Sequence, residues 1–441
     1  MQRGKSRRRI IITVITLTIL IGIFVTNYLL SPSSYPTFNP IHEQEALGTE
    51  DYIEDFDYTY SILESYYPFF EVNKISNNVD WLGKKEEYKN LISNCKSDEG
   101  FYETMSLILA DLNNDHTHLL NPKYGLDSYV LYKMNNARFD WRVDMVKIFE
   151  KPTVQARHNI TNERIDEMVE HMETYVPDDY SPKNIIVADI VPEKVAYMGI
   201  KEMVTPDLNI PSFKEEYHII KDYLEEVKDY SALIIDIREN GGGNSGYWSD
   251  FLMPLIVDRS FTQNTYSFIK EGPLFNHCRR QYGFKKFTND EISDFDFPEK
   301  TNKIIKDFSY YMDSKTQVTP SEDSINFQGN LYLLVDKYVY SSSEKLASFA
   351  KESEMATLVG ERTKGDGIGT DPMLIDLPNT GYVLRFSKEL GITEEGSINE
   401  LDQTEPDIEL SNPRKVTSQS GRPIISYDEA VSTVLKIEGI Q

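Results

Sequence analysis

The fold is indicated most clearly by the stretch Leu333–Ala350, which reads LLVDKYVYSSSEKLASFA. An apolar run ends in small hydroxyl residues, and apolar residues at helical spacing follow at once. This pattern predicts a buried strand that leads directly into a helix, with Ser341 close to the first helical turn. Unpaired backbone N–H groups and the positive end of the helix dipole stabilise a developing anion there. Serine is also a common helix cap, so the pattern alone is compatible with a structural role.

Strands and helices alternate on both sides of this junction. The strands are predicted at Asn184–Val191, Val195–Met203, Ser231–Arg238, Leu331–Tyr340, Ala356–Glu361, Met373–Leu377 and Tyr382–Ser387. A capping box at Ser212–Glu215 predicts the start of a helix between two of them. The alternation indicates an α/β core. In the N-terminal region, Phe101, Met105 and Ile108 recur at helical spacing and predict a helix with one buried face.

Three consecutive glycines, Gly241, Gly242 and Gly243, directly follow the predicted strand Ser231–Arg238. Glycine adopts positive φ easily and allows close approach of the backbone to a ligand. Their N–H groups, together with that of Ser342, could bind an oxyanion or the main chain of a substrate. A plain tight turn is the structural alternative.

Two histidines, His116 and His118, lie in the polar segment after the predicted N-terminal helix. An imidazole in such a place can act as a general base. The pair could also be half of a metal site, but no other cluster supplies an obvious third ligand. We therefore expect neither a metal nor another cofactor, and an ordinary surface histidine remains the alternative for each residue alone.

These pieces, in the chain order histidine, glycines and serine, resemble the C-terminal processing (tail-specific) serine protease family. The segments that carry the resemblance are LNNDHTHL (112–119), LIIDIRENGGGN (233–244), LLVDKYVYSSSEKLASFA (333–350), ATLVGERTKGDG (356–367) and ELDQTEPDIEL (400–410). The resemblance implies a crotonase/Clp-protease-like α/β core and hydrolysis of peptide bonds, with Ser341 as the nucleophile. A peptide or protein is then the expected substrate.

The processing branch of that family uses a Ser–Lys dyad, with the lysine about 25 residues after the serine. This chain has Asp366 at that place, and Lys364 lies two residues before it. The resemblance is therefore closer to the tricorn-like branch, which uses a Ser–His–Glu arrangement. An aspartate at the lysine position argues against a lysine base.

The tricorn-like branch implies His116 as the general base and Glu400 as the residue that orients it, directly or through an intervening group. Glu400 stands six residues before Pro406-Asp407, as the resemblance requires. Asp115 competes for the orienting role because it is adjacent to His116. We rank it below Glu400, since neighbouring side chains rarely meet in the required geometry.

Two other functions fit parts of the sequence. Ser342–Lys345 reads S-x-x-K, a signature of penicillin-binding proteins and β-lactamases. That class also needs Lys-Thr-Gly, and the nearest match, Lys300–Asn302, lacks the glycine. An inactive peptide-binding or sensing protein on the same scaffold is the alternative outside enzymes.

The N-terminus predicts a membrane anchor. Five basic residues among the first nine precede Ile10–Leu30, an uncharged run of 21 residues. Such a run is long enough to cross a bilayer, and the basic flank should stay in the cytoplasm. A cleaved signal peptide is the alternative, but Leu29–Pro32 offers no small-x-small cleavage site. The rest of the chain is then expected outside the cell membrane.

The charge balance limits the partners of this exported part. The chain carries a net charge of −25, and the part beyond the basic tail carries −30. An excess of this size argues against nucleic acid or anionic lipid as its main partner. Two cysteines, Cys95 and Cys278, could form one disulfide. The oligomeric state stays open.

The predicted organisation follows from these observations. It comprises a cytoplasmic basic tail (1–9), a transmembrane anchor (10–30), a stalk (31–49), a helical N-terminal region (50–120), an insertion of unknown fold (121–183) and a protease core (184–441).

Overall fold

A computed structural model describes residues 47–135, 140–174, 184–411, 413–418, 421–425 and 427–440. The predicted tail (1–9), anchor (10–30) and nearly all of the stalk (31–49) lie outside these ranges. Within them, no helix combines the length and the apolar character that crossing a membrane requires.

The N-terminal region is helical, as predicted. Its helices are α1 (Thr49–Tyr66), α2 (Phe70–Asn77), α3 (Lys85–Ser93) and α4 (Asp98–Ala110). Helix α4 begins where the side chain of Ser97 accepts a hydrogen bond from the N–H of Gly100. The predicted apolar face of α4 is buried, with Phe101 and Met105 fully enclosed.

The segment 121–183, for which the sequence predicts no fold, is largely helical where it is described. Its helices are α5 (Gly125–Asn135), α6 (Val143–Phe149), α7 (Pro152–His158) and α8 (Asn162–Thr174). Trp141, Phe149 and Val154 are buried in the same hydrophobic cluster as the apolar face of α4. These helices therefore extend the N-terminal helical layer.

The remaining helices lie among the strands. They are α9 (Pro211–Val227), α10 (Met253–Ile256), α11 (Asn276–Tyr282), α12 (Glu299–Ile304), α13 (Ser342–Glu352), α14 (Asn399–Asp402) and α15 (Glu429–Ile437). The predicted capping box does not form, because α9 begins at Pro211 and no side chain caps it. Proline suits this first position, since its missing N–H would have no partner there.

The strands of the described residues form three sheets. In chain order they are β1 (His118–Leu119), β2 (Ile185–Val191), β3 (Val195–Ile200), β4 (Ala232–Asp236), β5 (Phe261–Ile269), β6 (Lys285–Lys286), β7 (Tyr310–Val318), β8 (Asn330–Val335), β9 (Thr357–Gly360), β10 (Met373–Asp376), β11 (Val383–Phe386), β12 (Leu390–Thr393) and β13 (Ile408–Glu409). The central sheet has the order β13-β9-β8-β4-β3-β2, in which β2 is antiparallel to β3 and all other pairs are parallel. The orders β12-β5-β7-β6 and β1-β11-β10 describe two antiparallel sheets.

Helices cover both faces of the central sheet, which explains why its parallel strands are continuous apolar runs. All of β4 is buried. Helices α9 and α13 pack on one face, where Ile220 and Phe349 join the same apolar cluster as Leu233. Helix α15 packs on the other face, where Val431 joins Ile234. The sequence therefore predicts the order and type of these core elements correctly.

A buried ion-pair cluster joins the end of β4 to the start of α15. The guanidinium of Arg238 lies 2.7 Å from a carboxylate oxygen of Asp236 and 2.7 Å from one of Asp428, and all three side chains are fully buried. We call these three residues the Arg238 cluster. The two cysteines do not form the disulfide that the sequence allows, because Cys95 and Cys278 are both buried and free.

Candidate active site

Ser341 lies at the junction between β8 and α13, as the sequence predicts, and it is the N-cap residue of α13. Its backbone has φ 58° and ψ −122°, a region that residues with a side chain rarely adopt. Such a conformation costs about 1–3 kcal/mol and is found most often at functional sites. The strained backbone therefore favours a functional role for Ser341 over that of an ordinary helix cap.

The glycine loop lies directly against this turn. Gly242 has φ 106°, and a Cβ atom at that position would be 2.8 Å from the Cβ of Ser341. Only glycine can therefore lie here without moving the nucleophile. The side chain of Asn240 joins the two segments, because its Oδ1 accepts hydrogen bonds from the N–H of Gly242 and from the hydroxyl of Ser343.

His116 comes from the helical N-terminal region, after α4 and just before β1. Pairing of β1 with β11 brings this segment to the edge of the core. The Nε2 atom of His116 lies 3.0 Å from Oγ of Ser341. The sequence-predicted serine and histidine are therefore within hydrogen-bonding distance, although 225 positions separate them.

The other ring nitrogen of His116 contacts Asp366, in the loop between β9 and β10. Nδ1 of His116 lies 2.7 Å from Oδ2 of Asp366. The same oxygen accepts hydrogen bonds from the hydroxyls of Ser387, at 2.7 Å, and Tyr340, at 3.1 Å. Burial opposes ionisation of this carboxyl, but the neighbouring His116 and these hydrogen bonds outweigh it and lower the pKa of Asp366.

An ionised Asp366 fixes the state of the imidazole. A carboxylate only accepts hydrogen bonds, so the Nδ1 atom of His116 must carry a proton. In the neutral ring, Nε2 is then the acceptor, and it faces the hydroxyl of Ser341. The arrangement therefore has the direction that removal of a proton from Ser341 requires.

Glu400, in α14, does not contact His116 directly, which leaves the second of the two arrangements that the sequence allowed, a connection through intervening groups. Its Oε1 atom lies 3.0 Å from Nδ2 of Asn114, which is itself 2.9 Å from Oδ2 of Asp366. Burial, followed by the negative charge of Asp366, raises the pKa of Glu400 well above its usual range. A neutral carboxyl beyond Asn114 therefore supports the charged one. We call His116, Asp366, Asn114 and Glu400 the His116 cluster.

The other two candidates for the base and its partner interact with each other. The ammonium of Lys364 pairs with the carboxylate of Asp115, and both side chains are substantially exposed. Asp115 thus faces solvent and Lys364, while His116 turns to Asp366. Asp366, at the position of the dyad lysine, is the carboxylate in direct contact with His116.

The predicted oxyanion-binding N–H groups differ in their availability. The N–H of Gly242 donates to Asn240 at 2.9 Å and is already used. Gly243 has φ 132° and, with Gly241 and Ser342, lines the cavities that open onto Ser341. Among the described residues, the N–H groups of Gly241, Gly243 and Ser342 donate to no protein acceptor. These three groups of the predicted set are therefore free to bind an oxyanion.

Two other sites that the sequence suggested are the S-x-x-K site at Ser342–Lys345 and a metal site at the two histidines, and neither is formed by the described residues. The buried hydroxyl of Ser342 has no hydrogen-bond partner in the described part of the chain, so it does not contact Lys345. His118 is exposed and its Nδ1 contacts the carbonyl of Asp115. The described ranges contain no group of three His, Cys, Asp or Glu residues arranged to hold a metal.

A cavity of about 780 Å³ opens at Ser341 and His116. It extends past Ile368 and Thr370 to Tyr132 and Arg142 of the helical layer. A second opening of about 520 Å³, lined by Gly241 and Tyr338, also reaches Ser341. Both cavities are lined by His116, Gly243, Ser341 and Arg385, and we call the two together the groove. An extended chain bound in the groove would pass the hydroxyl of Ser341.

Comparison with known proteins identifies the core. Residues 195–410 match the model of peptidase family S41. These residues form a peptidase family S41 domain. Ser341, Asp366 and Glu400 lie within the S41 domain, whereas His116 lies before it, so the site is complete only with the helical N-terminal region.

Solved structures share the fold of this chain. A candidate peptidase from Parabacteroides merdae is 16% identical, with 88% of this chain and 96% of that chain covered and a TM-score of 0.53. Mature CPAF in complex with lactacystin is 12% identical, with coverage of 82% and 94% and a TM-score of 0.50. No match was found among curated proteins. Because residues 195–410 match peptidase family S41, the chain is a serine peptidase.

Proposed function

We propose that this peptidase hydrolyses peptide bonds through a Ser341–His116–Asp366 triad, with Glu400 in a supporting position. The observation that carries the proposal is the continuous contact from Oγ of Ser341 to Nε2 of His116, at 3.0 Å, and from Nδ1 to Asp366, at 2.7 Å. A serine hydroxyl is a weak nucleophile until an adjacent base removes its proton. Here the base and the group that orients it are both in reach.

The proposed reaction begins when Oγ of Ser341 attacks the carbonyl carbon of the scissile bond and His116 takes the hydroxyl proton at Nε2. Asp366 stabilises the imidazolium that forms. The oxyanion is held by the N–H groups of Ser342 and Gly243. His116 then gives the proton to the leaving amine, and water, activated in the same way, releases the acyl group from Ser341.

A fluorophosphonate probe tests this proposal, because it reacts only with an activated serine. The wild-type protein should be labelled and Ser341→Ala should not. Ser353→Ala, at the far end of the same helix, is the matched control and should be labelled at the wild-type rate. A wild-type protein that is folded but unlabelled would favour the inactive peptide-binding alternative.

We further propose that the protein is anchored in the cell membrane by residues 10–30, with the peptidase outside. The support is the sequence pattern alone: a basic flank followed by an apolar run of membrane-spanning length. The full chain should stay with the membrane fraction after extraction at alkaline pH, and a chain that begins at residue 47 should be released. Release of the intact full chain would contradict the anchor.

A further inference from the structure

Three permanently charged cations line the 780 Å³ cavity at Ser341: Arg142, Arg385 and Lys388. Arg142 is paired with Asp140, at 2.6 Å, and also with Asp371. Lys388 is buried and pairs with Glu389 at 2.8 Å. Each of these two cations is therefore already neutralised by the protein.

Arg385 differs from both of them. It lies in β11, opposite His118 of β1, and it is half-buried. Its guanidinium is 3.5 Å from the backbone carbonyl oxygen of His116, a long contact for a hydrogen bond. In the described part of the chain, no carboxylate lies within ion-pair distance of Arg385. Because it lines both openings at Ser341, this charge stands where a bound chain would cross the site.

We propose that Arg385 binds a carboxylate of the substrate and makes the peptidase selective for acidic peptides. This inference rests on the proposed function. A guanidinium binds a carboxylate with two parallel hydrogen bonds, which sets position as well as charge. The pairing is stronger in a partly desolvated groove than on an open surface.

The surrounding charges favour this ligand over others. Lys388 pairs with Glu389, and Arg142 is shared by two carboxylates, those of Asp140 and Asp371. Of the other carboxylates that line the two openings, Asp366 is held by His116 and further protein donors, Asp115 pairs with Lys364, and Glu239 is exposed. Among the three cations that line the cavity, Arg385 is thus the one that a substrate carboxylate can neutralise. The net charge of the chain, −25, would otherwise repel acidic peptides.

The carboxylate could belong to an Asp or Glu side chain or to the C-terminus of the substrate. A set of quenched fluorescent peptides separates these sources. One arm places Asp or Asn at each position around the scissile bond, and the other compares a free with an amidated C-terminus. Activity that follows an internal Asp identifies a side chain, and activity that follows the free terminus identifies the terminal carboxylate.

The variants test whether Arg385 causes the preference. The wild type should show kcat/KM about tenfold higher for the carboxylate peptide than for its neutral partner, as expected for one charged pair. Arg385→Gln should remove this ratio by slowing only the carboxylate peptide. Arg385→Glu should favour Lys at the same position. Arg280→Gln, an exposed arginine outside the cavities, is the control and should keep the wild-type ratio.

Two results would overturn the inference. One is a wild type that cleaves peptides without any preference for a carboxylate. The other is an Arg385→Gln protein in which acidic and neutral peptides slow equally, which would mean that Arg385 only supports the His116 segment. Labelling by the fluorophosphonate probe counts the intact sites in each variant, and Arg385→Lys keeps the charge if Arg385→Gln folds poorly. Absence of all peptide cleavage would instead contradict the proposed function.

Discussion

Two buried clusters of carboxylates in the described part of the chain, the Arg238 cluster and the His116 cluster, are stabilised in different ways. In the Arg238 cluster, two carboxylates share a guanidinium that is charged at every accessible pH. In the His116 cluster, two carboxylates lie on either side of the Asn114 amide, and the basic group beside them is the imidazole of His116, which can exchange a proton. One cluster holds a fixed charge, while the other can change it.

The comparison shows that a buried charged cluster can take part in acid–base catalysis only if one of its groups can exchange a proton. A permanent ion pair in the interior holds the chain together but has no proton to exchange. A histidine in place of the guanidinium gives the cluster a ring nitrogen that can take up and release a proton. In the described part of the chain, the second carboxylate of the His116 cluster, that of Glu400, has no cation of its own, and burial keeps its pKa high.

Asp366→Asn should have the largest effect on activity. The amide can donate as well as accept, so it no longer requires a proton on Nδ1 of His116, and the ring can take the wrong tautomer. We expect the rate of fluorophosphonate labelling to fall about 10³–10⁴-fold, with the melting temperature little changed. A loss of less than tenfold would mean that Asp366 is not the orienting carboxylate.

Asp428→Asn should instead affect stability. It leaves Arg238 buried with one charged partner fewer, while an amide oxygen can still accept the hydrogen bond that Oδ1 of Asp428 receives from the N–H of Val431 at the start of α15. Breaking a buried pair in this way costs about 3–5 kcal/mol of unfolding free energy, measurable by urea denaturation. The labelling rate per folded molecule should match that of the wild type; a fall comparable to that of Asp366→Asn would link the two clusters.

Glu400→Gln should reduce the labelling rate by less than about tenfold, the value of one hydrogen bond. A protonated carboxyl and an amide are alike in shape and charge, so the contact with Asn114 can persist. If Glu400 were the ionised partner of the imidazole, this variant would instead lose as much activity as Asp366→Asn. Measured side by side, the two variants show which carboxylate orients the imidazole of His116.

The pH dependence of stability should also reveal Glu400. Because the pKa of Glu400 is raised in the folded state, the folded protein holds a proton that the unfolded chain releases. Stability is therefore lost as pH rises above the ordinary glutamate range, with a slope of at most about 1.4 kcal/mol per pH unit. Glu400→Gln should lack this component, so its advantage over the wild type should grow with pH in urea denaturation. Parallel curves would contradict the raised pKa.

Lys364→Ala should have the smallest effect. Its ammonium pairs with Asp115 at the surface, where such pairs contribute about 0–1 kcal/mol. We expect labelling within about twofold of the wild type. Loss of labelling in this variant, with labelling retained in His116→Ala, would restore a Ser–Lys mechanism.

The sequence predicts the core well because its strands are buried on both faces. Continuous apolar runs such as that of β4, and the helical spacing of Leu346 and Phe349 in α13, are local signals. The segment 121–183 lacks such signals, since α6 and α7 have only seven residues each and acquire their buried faces by packing on other helices. Short helices of this kind depend on tertiary contacts.

The sequence predicts Ser341 and His116 as members of the active site, but it does not predict Asp366 as their partner. The aspartate reaches the imidazole across 250 positions, and no local pattern encodes that contact. Its position was visible, because an acidic residue at the place of the dyad lysine is itself a signal. The resemblance directed attention to Glu400, which the structure places one amide further from the imidazole.

The pairing of His116 with Asp366 is tested most directly by nuclear magnetic resonance of protein labelled with ¹⁵N-histidine, with His116→Gln used to assign the ring. The wild type and Glu400→Gln should both show a strongly downfield Nδ1 proton from a hydrogen bond to a carboxylate, and Asp366→Asn should lack it. A downfield proton that persists in Asp366→Asn and disappears in Glu400→Gln would contradict the triad proposed for this peptidase.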